Sequence, residues 1–118
     1  MDRSGALRYN LTCSTDDGRI ADWIANQLEK DLGLENISAT GIVFGPDSLA
    51  RVLTVIKKPA EVPPYKVLEA AKALGRRFAV DIIEADIIGE IPLEVVLDCA
   101  EYALSVRQIR SSQVVNYG

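Results

Sequence analysis

A chain of 118 residues without a single histidine must do any proton chemistry with other groups. Near neutral pH a group of matching pKa, normally His, serves best, so catalysis by this chain alone is not expected. The polar residues that invite a chemical reading are few. Asn10 sits in the middle of an apolar-rich stretch, where it is either an amide facing a ligand or an interior polar group satisfied within the protein. Asp86 stands at the end of another such stretch, next to Gly89. There it either receives a ligand amine or caps the following turn. Asp16 and Asp17 resemble a catalytic carboxylate pair, but acids at a helix start are stabilised by its dipole without further purpose. Lys57-Lys58 and Arg76-Arg77 are basic pairs at what should be opposite poles of the fold, and solvated charge accounts for them. Cys13 and Cys99 show no C-x-x-C spacing and read as buried small hydrophobes. With two thiols and no imidazole, a zinc site of the usual kind lacks ligands, and no metal is expected.

Composition narrows the field further. Apolar residues make up 48% and charged residues 25%, which suits a soluble globular chain rather than a disordered one. No apolar run approaches the roughly 18 residues of a membrane helix, and Met1-Asp2-Arg3-Ser4-Gly5 lacks the basic start and apolar run of a leader. No membrane partner and a cytoplasmic location are the expectations. The net charge of −4 argues against nonspecific binding to nucleic acid. The length fits one domain, residues 1–118, with a core over about 6–106 and a polar tail over 107–118 whose only apolar anchor is Val114 and Val115.

These residues must be positioned by a short series of elements. Ala6 to Cys13 reads as a strand. Ser14-Thr15-Asp16-Asp17 then offers N-caps for a helix running to about Leu32, with Ile20, Trp23, Ile24 and Leu28 as its buried stripe and Gly33 as its stop. Asn36 to Phe44 and Leu49 to Lys57 form a hairpin around Gly45-Pro46-Asp47-Ser48. Pro63-Pro64 opens a second helix carrying Val67, Ala71, Leu74 and Phe78. Val80 to Ile88 is a fourth strand, and Pro92 starts a third helix to about Val106, whose stripe Leu93, Val96, Leu97, Ala100 and Leu104 should be buried. The order predicts an α+β fold, a ferredoxin-like split β-α-β-β-α-β plan with an antiparallel sheet in the order 4-1-3-2 plus a C-terminal helix. Within Leu49 to Ile56 neither alternating set is strongly polar. A second layer, either a partner copy or the third helix, is therefore expected over the sheet face that the first two helices leave bare.

The segment Ala85-Asp86-Ile87-Ile88-Gly89-Glu90-Ile91-Pro92-Leu93 resembles the strand-Gly-x-x-Pro-helix element of the formiminotransferase family, in its C-terminal subdomain. Tyr9-Asn10-Leu11-Thr12 with the Thr15-Asp16 turn, and Val62-Pro63-Pro64-Tyr65-Lys66-Val67, are similar to that family's Asn-bearing first strand and Pro-led second helix. The likeness covers roughly Tyr9 to Leu104. Four positions depart from the pattern: Asp86 stands for Glu, Ala85 for Ser, Val55 for Asn and Val62 for Thr. Family members transfer a formimino or formyl group between an amino acid and tetrahydrofolate, which lies between two subdomains, with the catalytic histidine in the N-terminal one. The resemblance implies a folate-type binding face with Asn10, Thr12, Asp86 and Gly89 as ligand residues. Asp86 would meet a pterin nitrogen, and a homodimer or separate partner subunit would supply the second wall. Two other readings share the plan. One is an ACT-like module binding amino acids where two domains meet, to which the third helix is foreign; the other is a purely structural protein acting through oligomerisation. An RNA-binding sheet is disfavoured by the lack of stacking aromatics on the strands.

Overall fold

Alternation along Leu7-Arg8-Tyr9-Asn10-Leu11 sends every second side chain to one side, and the first strand, β1 (Leu7–Cys13), buries Leu7, Tyr9, Leu11 and Cys13 there. The computed structural model describes residues 5–117; residues 1–4, which carry most of the stretch read as leader-free, and residue 118 of the tail lie outside them. Helix α1 (Gly18–Leu32) begins where Asp17 Oδ1 accepts the Arg19 N–H at 3.0 Å, and it closes with the Gly33 N–H donating to the Glu29 carbonyl. Its buried residues are Ala21, Ile24, Ala25 and Leu28, while Ile20 and Trp23 are only partly covered. Strands β2 (Ile37–Val43) and β3 (Ala50–Ile56) form the expected hairpin.

Helix α2 (Pro64–Gly75) starts on a proline, at the position where a missing N–H costs nothing, and runs into a single 3₁₀ turn over Arg76–Phe78. Phe78 therefore leaves the α2 stripe and meets Trp23 edge-on, with ring centroids 5.1 Å apart. Ala79, at φ 55°, reverses the chain, so β4 begins at Ile82 and ends at Ile88 (Ile82–Ile88). Helix α3 (Leu93–Leu104) follows Pro92, and the tail beyond it makes one more short turn at Ser111–Gln113.

The sheet order is β2-β3-β1-β4 with every neighbouring pair antiparallel. This is the split β-α-β-β-α-β plan of ferredoxin-like α+β folds with a third helix added. The core lies between the sheet and the α1 and α2 helices, where Leu7, Leu11, Val52, Ile56, Ile24, Leu28 and Val67 are buried. Helix α1 lies so close to β2 that Gly41 faces the helix backbone directly, and a Cβ there would fall 2.3 Å from Asp22 N. The same helix caps one amide on the free edge of β2, where Glu29 Oε2 accepts the Ala39 N–H at 3.0 Å.

Two expectations about α3 are corrected. The helix does not cover the bare sheet face; it packs beside α2 on the helix side, where Tyr65 and Tyr102 stack with centroids 4.3 Å apart. Nor is its expected stripe buried: Val95 is the enclosed residue, and Leu93, Val96 and Leu104 are 41–66% exposed. Heptad-like spacing selects a stripe, but α3 is apolar around most of its circumference. The neighbour that the chain offers, α2, lies toward Val95 and Cys99 instead.

Candidate functional site

The bare face of the sheet can be built residue by residue from the strand registers. Residues paired across neighbouring strands point to the same side, about 4.8 Å apart, and every second residue along a strand follows at roughly 6.8 Å. Three rows result. The first is Ser38–Val55–Arg8–Ile88, the second Thr40–Leu53–Asn10–Asp86, and the third Ile42–Arg51–Thr12–Glu84. The face is thus polar along β1 and over Asp86 and Glu84 of β4, with Leu53 and Val55 as an apolar pair on β3 and Ile88 apart from them beyond Arg8, whereas β3 alone suggested a face of little polarity. The signal available in the sequence was the alternation of Arg8, Asn10 and Thr12, which passes to β4 only once the register is known.

Three of the four expected ligand residues meet here. Asn10 and Asp86 are direct cross-strand partners, and Thr12 stands two residues along from Asn10. Asn10 is half-buried, Thr12 is buried at 4% exposure, and Asp86 is open to solvent. The alternative of Asp86 as a cap for the next turn is not realised, since no hydrogen bond among the described residues ties its carboxylate down. Gly89 does not join the face. It lies one residue past Ile88 at φ 92°, a region closed to most side chains, and its position turns the chain out of β4 with open space around it.

Residues outside the expected set complete the electrostatics. Arg51, in the third row, forks onto Asp47 with Nη2–Oδ2 at 2.8 Å and Nη1–Oδ1 at 3.0 Å, and Nη1 also donates to the Phe44 carbonyl. The guanidinium pulls the Asp47 carboxyl down to about 2, helped by the Leu49 N–H. In turn Asp47, then Glu84 and Asp86 from across the face, raise Arg51. Arg51 therefore leans toward the hairpin loop, and the acids of β4 keep a free side toward solvent. The face offers the Asp86 and Glu84 carboxylates, the Asn10 amide and the Thr12 hydroxyl on neighbouring positions, a set that accepts N–H donors through its carboxylates and donates through the amide NH2 and the hydroxyl.

The remaining sequence candidates fall elsewhere. Asp17 caps α1 and is lowered by its hydrogen bonds to Arg19. Lys57 Nζ donates to the Leu34 carbonyl at 2.7 Å, and Arg77 lies over the Trp23 ring at 5.3 Å, so the basic pairs are occupied at different places. Cys13 is buried and Cys99 partly so; burial pushes both thiols up. Among the described residues no cluster of His, Cys, Asp or Glu is fit to hold a metal ion, and no helix is long and apolar enough to cross a membrane.

Comparison with known proteins gives two relatives of low identity. The chain is 28% identical over 105 residues to a glutamate formimidoyltransferase of Streptococcus pyogenes, a match spanning 88% of this chain and 35% of that protein. It is 23% identical over 105 residues to the glutamate formimidoyltransferase of Thermoplasma acidophilum, with the same coverage of 88% and 35%. The chain thus spans about a third of the length of the curated relatives it matches. No family model matches the sequence.

Proposed function

We propose that the bare sheet face binds the pterin end of a folate, in the manner of one subdomain of a formiminotransferase, here the C-terminal one. The observation that carries this reading is the adjacency of Asn10 and Asp86, with Thr12 beside them, on a face no helix covers. A pterin presents an amino group and a ring N–H side by side. A carboxylate accepts both in a bidentate pair, as Asp86 is free to do, while the Asn10 amide can meet the neighbouring ring carbonyl. Leu53 and Val55 give the flat ring an apolar floor. The likeness to two glutamate formimidoyltransferases supports the same reading.

Transfer chemistry is not assigned to this chain. It has no histidine, and in this proposal the proton-transferring group and the second wall of the cleft belong to another layer, either a second copy or a separate subunit. Calorimetric titration with tetrahydrofolate and its 5-formyl derivative tests the binding. Asp86→Asn should weaken it 10- to 100-fold, the range of one charge-assisted hydrogen bond, and Thr12→Val by less. Absence of heat at millimolar folate, or equal binding by Asp86→Asn, would sink the reading. One observation favours a second reading, an assembly module without a small ligand: the outward Leu93 and Leu104 of α3. That reading predicts a stable oligomer whose mass and melting temperature no folate changes.

A further inference from the structure

On the other side of the sheet, α3 does not close fully onto α2 and β4, and the gap is a groove of about 450 Å3. Tyr9 of β1 and Ile87 of β4 form its floor, Leu68 and Glu69 of α2 one wall, and Val96 and Cys99 of α3 the other. The size falls in the range of ordinary small-molecule sites, which are mostly apolar with a few convergent polar groups.

Three tyrosines line it: Tyr65 and Tyr102 stack on each other, with Tyr102 exposed, and Tyr9 is the buried one. Its side chain is only 6% exposed, yet its hydroxyl has no hydrogen-bond partner among the described residues. A buried tyrosine hydroxyl usually finds one. No fully enclosed side-chain oxygen or nitrogen lacks a partner among the described residues, so the Tyr9 hydroxyl reaches the open volume of the groove that the residue lines. Burial, and then Cys99, raise the Tyr9 phenol, and burial raises the Cys99 thiol. Both stay neutral around pH 7. Glu69 is the groove's charged residue; its carboxylate stands 4.0 Å from Lys72 Nζ, and no lysine or arginine lines the groove itself. An anionic head group inside the groove would lie beside the Glu69 carboxylate with no lining cation to hold it.

We propose that this groove binds a small, uncharged, largely apolar molecule whose single hydroxyl or carbonyl group hydrogen-bonds to Tyr9 Oη. The groove and the polar lattice lie on opposite faces of the sheet, so the inference is independent of the folate reading.

A pair of probes with one apolar body and different head groups tests it: 1-octanol and octanoate, titrated into protein with labelled methyl groups and followed by NMR. Octanol should shift the methyl signals of Leu68, Ile87 and Val96 saturably, and octanoate at the same concentration should not. Tyr9→Phe keeps the ring and should weaken octanol about 2- to 10-fold, the range of one neutral hydrogen bond. Ala103→Trp, at an exposed α3 position that also lines the groove, should abolish binding with the fold intact by circular dichroism. The proposal is overturned if octanol leaves those signals unmoved, if octanoate binds equally, or if Tyr9→Phe binds as wild type. It is equally overturned if the same signals move with protein concentration alone while sedimentation reports a dimer, because a second copy would then cover the groove.

Discussion

Replacing Gly41 by alanine should be the most damaging single-methyl change on the sheet. The added Cβ would stand 2.3 Å from Asp22 N, 2.5 Å from Ala21 C and 2.6 Å from Asp22 Cα. All three are backbone atoms of α1, so no side-chain rotation can relieve the contact. Restoring ordinary van der Waals separation requires the helix to lift by about 1 Å from β2, which loosens the packing of Ala21, Ile24, Ala25 and Leu28 at once. Overpacking of a tight core costs about 1–3 kcal/mol, against about 0.5–1 kcal/mol regained because alanine restricts the unfolded chain more than glycine. A net loss of about 2 kcal/mol is expected when the lifted helix also loses apolar contact. For a chain of this size that corresponds to a fall in Tm of roughly 10 °C. Gly89→Ala is the reference: at φ 92° it is strained, but nothing lies within 4 Å of its Cβ, so about 1–2 kcal/mol is expected from the backbone alone. Urea unfolding followed by circular dichroism measures both. A Gly41→Ala protein within 0.5 kcal/mol of wild type would refute the close approach of α1 to β2 as the cause.

Two further outcomes follow from hydrogen bonds at the sheet margins. Glu29→Ala removes the acceptor of the Ala39 N–H, and hydrogen exchange at that amide should accelerate at least tenfold while amides between β1 and β3 stay protected; unchanged exchange at Ala39 would contradict the edge cap. For Asp47, the folded carboxyl is depressed to about 2 against about 3.9 in an unfolded chain. Its contribution is therefore present above pH 4 and lost as the pH falls through 2. Since the group is exposed, the effect is small, and it should be read as a difference in shape: Asp47→Asn should flatten the stability curve between pH 4 and 2, and a curve parallel to wild type would discount the Arg51 pair.

Much of this architecture is legible in the residues themselves, because each local signal agrees with its neighbours. Asp17 in front of an apolar stripe, the loop at Gly45–Ser48 and the spacing of Gly89 to Pro92 all name an element and its boundary. Asn10, Thr12 and Asp86 were also legible as polar residues set among apolar ones. Their shared face follows from the family resemblance and not from the residues themselves, because it depends on the register between β1 and β4, which shifts between Thr12 and Cys13, and a one-residue slip would send Asp86 to the opposite side. The place of Arg51 and Glu84 beside them depends on the same registers. The location of α3 was illegible on other grounds. Periodicity reports that a helix has an apolar side, not which neighbour receives it, and α3 has more such surface than α2 can take. The groove at Tyr9 is the remainder of that mismatch.

The Glu29 cap on β2 also bears on how the molecule can grow. A sheet propagates by adding strands to a free margin, and an endless fibre needs two such margins per copy. Here one amide of the β2 margin, that of Ala39, is taken by a side chain of the chain's own helix, while no side chain among the described residues caps β4 in this way. Backbone pairing at β2 must first displace that carboxylate, so one hydrogen bond biases which margin of the sheet an added strand meets more easily.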